Sequence, residues 1–68
     1  MKYLVIVEGT DGSYSAYSPD LPGCVATGDT REETVELMRD AIAFHLEGLQ
    51  EDGQSIPSPA STAEYVAV

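Results

Sequence analysis

A capped amphipathic stretch that opens at Thr30 and closes at Gly53 constrains this 68-residue chain more than any other feature. Thr30 followed by Glu33 has the spacing of a capping box, in which the first side chain accepts from the backbone N–H three residues on. Glu32 and Glu33 put negative charge at the positive end of the helix dipole. Gly53 stands where a C′ glycine would stop the helix. Between these signals Val35, Met38, Ile42, Leu46 and Leu49 recur at helical spacing as one stripe, with His45 at its edge. Leu37, Ala41 and Phe44 add a second flank. The combined apolar arc covers about half the helix, wider than the roughly 100° stripe that one buried face requires. A chain this short holds one such helix, so the remaining residues must supply the surface that it packs on.

Three segments before the helix read as strands. Tyr3-Leu4-Val5-Ile6-Val7 is apolar on both alternating faces, as in a strand covered on both sides. Gly9-Thr10-Asp11-Gly12 is a turn signal that returns the chain antiparallel into residues 13–17. There, Tyr14 and Tyr17 point to opposite faces. Pro19-Asp20-Leu21-Pro22-Gly23 then interrupts the sheet, and Leu21-Pro22-Gly23-Cys24 fits a type II turn. Residues 24–27 read as a third strand, ended by Gly28-Asp29. After the helix, residues 54–62 are rich in Ser and Pro and read as irregular. Residues 64–68 read as a final strand. The expected fold is α+β in the order β-β-β-α-β, a small antiparallel sheet with one helix packed on it, forming a single domain over residues 1–68.

Charge narrows the function. Twelve acidic residues against three basic ones give a formal net charge of −9. Such a surface repels phosphate backbones, which argues against direct nucleic-acid binding, and it favours a basic protein partner. Glu32, Glu33, Glu36, Asp40 and Glu47 are the candidate partner contacts, although for any one of them a solvated, solubilising face is the plainer role. No apolar run approaches the roughly 18 residues needed to span a bilayer and no signal-peptide pattern opens the chain, so a cytoplasmic protein without membrane association is expected.

Catalysis finds little to stand on. Asp11, Asp20 and Asp29 lie in loops beside Gly, Pro or Thr, where aspartate serves turns and caps. Cys24 would need His45 as its base, and His45 sits among apolar helix residues. No His/Cys cluster suggests a metal and no glycine-rich loop suggests a phosphate, so no cofactor and no enzyme activity are expected. A domain of this size buries only about 60% of its unfolded surface and has no second cysteine for a disulfide. Self-association into a dimer or tetramer is therefore expected, through Leu37, Ala41 and Phe44 or through the sheet face opposite the helix.

The string Tyr14-Ser15-Ala16-Tyr17-Ser18-Pro19-Asp20-Leu21-Pro22-Gly23-Cys24, followed by Ala26-Thr27-Gly28-Asp29-Thr30-Arg31-Glu32-Glu33, the helix and Ile56-Pro57-Ser58-Pro59, resembles HicB-family antitoxins. Pro19, Asp20, Pro22, Gly23, Gly28, Thr30 and Glu33 are the motif positions, and the likeness runs from Tyr3 to about Pro59. The resemblance implies a partial ribonuclease-H-like fold without nuclease activity. It also implies a partner, a small basic HicA-type toxin that cleaves RNA, whose RNA-binding surface and catalytic histidine the antitoxin covers. Family members commonly form dimers or higher oligomers. Many carry a C-terminal DNA-binding segment, whereas here only a Ser/Pro-rich stretch and a short strand follow the helix, so a short single-domain member without DNA binding of its own is expected. Two rival readings remain: an orphan HicB-like interaction module with no toxin partner, and a metal-dependent nuclease using the loop aspartates. For the nuclease no carboxylate pair has a diagnostic spacing.

Overall fold

The computed structural model describes residues 1–68 and contains four elements: β1 (Ile6–Thr10), β2 (Ser13–Tyr17), β3 (Val25–Gly28) and α1 (Arg31–Glu51). The strands form one antiparallel sheet in the order β1-β2-β3, and α1 packs across one of its faces. The α+β architecture is the expected one. Pairing of Val7 with Ala16 and of Ala16 with Ala26 sets the inner face, since paired residues point the same way. Against that face sit Leu21, Cys24 and Met38, which with Ala16 form the buried cluster. Tyr3, Val5, Val7, Ala26, Ala41, Ile42 and Leu46 pack around it.

The proline-rich loop is part of this core. Leu21 N–H donates to the Ser18 carbonyl and Cys24 N–H to the Leu21 carbonyl, both at 3.1 Å. The second bond closes the expected turn, with Gly23 at φ +84° in the third position that only glycine adopts cheaply. Two consecutive turns thus aim Leu21 and Cys24 inward.

Both helix ends are satisfied. Thr30 Oγ1 accepts from Glu33 N–H at 3.1 Å. Thr34, which the apolar pattern passes over, is fully buried, and its hydroxyl donates to the Thr30 carbonyl at 2.7 Å. A β-carbon on Gly28 would lie 2.7 Å from Thr34 Oγ1 and 3.2 Å from its backbone nitrogen. Gly28 is thus what lets β3 meet the start of α1. At the other end, Gln54 N–H donates to the Leu49 carbonyl and Gly53 N–H to that of Gln50, with Gly53 at φ +70°. This is a Schellman motif, and it confirms the stop read from Gly53.

Five expectations are corrected. The first strand begins at Ile6 rather than Tyr3, because the residues that would pair with the earlier positions leave the sheet at Pro19. The ladder also runs on through Gly9–Tyr14 to Thr10–Ser13, so Gly9 lies within β1 and Asp11-Gly12 alone form the hairpin loop. The third strand is shifted by one residue, to Val25–Gly28. Residues 64–68 form no strand, having no sheet neighbour within the chain, and Tyr65, Val66 and Val68 are fully or largely exposed. The second apolar flank of the helix also divides, with Ala41 packed against the core while Leu37 and Phe44 face outward.

Met38 and Phe44 therefore test this core from opposite sides. Met38→Ala is expected to remove about 2–5 kcal/mol, enough to abolish a cooperative transition in so small a fold, while Phe44→Ala stays within about 0.5 kcal/mol. Urea denaturation followed by circular dichroism reads both.

Candidate partner-binding surface

The buried stripe of α1 is narrow, with Thr34 and Met38 its only fully buried residues. The opposite side of the helix is open. Glu32, Glu36, Asp40 and Glu47 recur there at steps of four and seven, which places them on one face, with Glu33 beside them. All five are exposed. One is partly neutralised, as Arg39 Nη1 donates to Glu36 Oε1 at 3.0 Å, but both side chains stand in water and the pair contributes little.

Leu37 and Phe44, seven residues apart, border the acidic stripe. Phe44 is 78% exposed and Leu37 41%. Phe44 also forms one wall of an open groove of 410 Å³, whose other walls include Val25, Ala41, His45 and Leu49. The structure thus brings the expected acidic contacts and two of the three expected self-association residues onto one surface. An apolar ring beside a row of carboxylates suits a cationic surface that also offers an apolar recess.

The groups weighed for catalysis are otherwise engaged or apart. Cys24 and His45 line the same groove, but no hydrogen bond joins them, and burial pushes the Cys24 thiol up from its ordinary value. Asp20 ties down the C-terminal tail. Its Oδ2 accepts from the N–H groups of Ala60 and Ser61 at 3.2 and 3.1 Å, and its Oδ1 from the Ser61 hydroxyl at 2.9 Å. The Ser61 hydroxyl, then the Ser61 N–H, hold the Asp20 carboxyl below the usual aspartate value, against a smaller opposing effect of burial. Tyr3 OH adds a second tether by donating to the Pro57 carbonyl. Asp11 and Asp29 are exposed, and no three His, Cys, Asp or Glu side chains converge as metal ligands would. No helix is long and apolar enough to cross a membrane.

Neither tether was legible beforehand. Tyr3 and Pro57 lie 54 positions apart and Asp20 and Ser61 41 apart, with nothing in local pattern to connect them.

A three-stranded antiparallel sheet crossed by one helix matches the solved structure of a HicB antitoxin domain. The chain superposes on the N-terminal domain of Burkholderia pseudomallei antitoxin HicB with a TM-score of 0.77 and 34% identity, over 85% of this chain and 69% of that one. It also superposes on a chain of the HicA3 and HicB3 toxin–antitoxin complex, with a TM-score of 0.73 and 30% identity, over 88% of this chain and 70% of that one. The family described as the HicB-like antitoxin of bacterial toxin–antitoxin systems matches residues 3–68, and the chain belongs to that family.

Antitoxin HicB 1 of Photorhabdus laumondii is 39% identical over all of this chain, which spans 45% of that protein. An uncharacterised 14.9 kDa protein of Haemophilus phage HP1 is 35% identical over 97% of this chain, which spans 50% of that protein. The chain thus covers about half the length of these two relatives. A UPF0150 protein of Thermoplasma acidophilum is 38% identical over all of this chain and 97% of its own length.

The tail tether has a pH signature. Because the folded state lowers the Asp20 pKa, the contact contributes stability above the ordinary value of 3.8 and loses it as pH falls through the lower folded value. The amide protons of Ala60 and Ser61 should titrate with that depressed midpoint in NMR spectra, and Asp20→Asn should remove the transition.

Proposed function

We propose that this domain is a non-catalytic antitoxin that binds and neutralises a small basic HicA-type RNA-cleaving toxin in the cytoplasm, through the exposed face of α1. The observation that carries this reading is the coincidence of five carboxylates with Leu37 and Phe44 on one uncovered helix face. A toxin that holds RNA must present cations to phosphates, and a carboxylate row competes for the same cations. Long-range attraction between a −9 chain and such a surface speeds the encounter, while desolvated apolar anchors slow dissociation. Family membership and the likeness to a chain of the HicA3 and HicB3 complex support the same partner class.

The reading is tested by titrating the purified domain into a HicA-type toxin from the same genome, following both heat of binding and RNA cleavage. Cleavage should fall as the complex forms, and affinity should drop as salt rises. The paired change Glu36→Lys with Asp40→Lys should weaken binding about tenfold or more. Phe44→Ala should cost more than about 1 kcal/mol of binding while leaving the fold intact. Absence of binding at low salt, or binding indifferent to all three changes, would overturn it.

A further inference from the structure

The groove beside Phe44 runs along the last three turns of α1. Ala41, Phe44, Gly48, Leu49 and Asp52 recur at helical spacing on one wall, and the start of β3 at Val25 supplies the other. Its 410 Å³ falls near the lower end of the volumes that hold small ligands, about 300–1,000 Å³, which is room for one long side chain. Gly48 sets its depth. A glycine inside a helix weakens that helix relative to alanine, and nothing in the fold requires one here. Its φ is not positive, and a β-carbon at this position would meet no atom within 4 Å. Phe44 and Val25, 78% and 65% exposed, leave both walls apolar and uncovered.

The far end of the groove calls for a cation. Asp52 lines it at the C-terminus of α1, where the helix dipole is negative. Helices commonly place Lys or Arg there, yet the last turn holds no basic residue. Glu47 and Glu51, three and seven residues on from Phe44, stand exposed on the same side. None of residues 40–68 is Lys or Arg, and the one ion pair lies upstream between Arg39 and Glu36. Three carboxylates and a helix terminus thus surround the mouth of an apolar slot with no counter-ion from their own chain.

We propose that this groove is the seat for a single arginine side chain of the protein that α1 binds. The methylene stem lies over Gly48, between Phe44 and the start of β3, and the guanidinium ends at Asp52. The seat rests on the partner reading above and adds to it a defined anchor, apart from Glu36 and Asp40. Arginine fits better than lysine, because a planar, weakly hydrated guanidinium suits an aromatic wall and a carboxylate together. Its stem covers the apolar floor while its head stays at the charged mouth.

Two measurements separate the seat from the toxin reading itself. The first is an NMR titration of the isotope-labelled full chain with N-acetyl-arginine amide, with no toxin present. Amide signals of Val25, Gly48 and Leu49 should shift together and saturate. The lysine analogue should bind several-fold more weakly, and the uncharged citrulline analogue should leave the signals in place. Gly48→Leu should abolish the response while raising the melting temperature, since leucine is the better helix former and meets open space. Asp52→Asn should weaken it about threefold or more. The second is binding to the HicA-type toxin, which Gly48→Leu should weaken about tenfold or more. Equal shifts with the arginine and citrulline analogues, or an undiminished response in Gly48→Leu, would overturn the seat whether or not a toxin binds. Toxin affinity lowered by Glu36→Lys with Asp40→Lys but indifferent to Gly48→Leu would also overturn it, while leaving the antitoxin reading in place.

Discussion

Burial of Met38 against Ala16, Leu21 and Cys24 is the contact on which the rest of the structure depends. Only these four apolar residues are buried, Leu21 and Met38 completely. So small a core requires α1 to approach the sheet closely, and the approach explains residues that do little else. Gly28 leaves the space that Thr34 occupies, Thr34 returns its hydroxyl to the helix start, and two proline turns drive Leu21 and Cys24 under the helix. The motif that marks the family is, in physical terms, the floor on which Met38 rests.

That economy decides what remains outside. A helix held by a narrow stripe keeps its opposite side in water, where carboxylates cost the fold little. The acids of α1 gather there, with one ion pair among them. Their mutual repulsion is a standing cost to the compact state, and a cationic partner removes it on binding. The acidic face and the partner proposed for it thus follow from the same narrow packing, as does the exposure of Phe44.

The tail shows the opposite balance. Asp20 and Tyr3 spend a carboxylate and a phenol on holding residues 57–61 against the body, although this stretch adds nothing to the central cluster. What it achieves is direction, since these contacts fix the path of the chain between Tyr3 and the loop after β2.

Periodicity and caps were enough to read the helix, its Thr30 start, its Gly53 stop, the hairpin and the type II turn, because each is closed by contacts within a few residues. The string from Tyr14 to Glu33 was equally enough for the family, since it encodes the loop that builds the core. Strand limits and the terminal strand were misjudged, as pairing depends on what lies alongside and not on β-propensity. The candidate surface was half legible: helical spacing placed the acids on one face, but it assigned Leu37, Ala41 and Phe44 to a single flank. Only the tertiary structure turned Ala41 inward and left Phe44 in water, and only it joined Asp20 to Ser61. The reason is that the angle at which a helix meets its sheet, and the return of a tail across 41 residues, are fixed by packing between distant segments that no local pattern records.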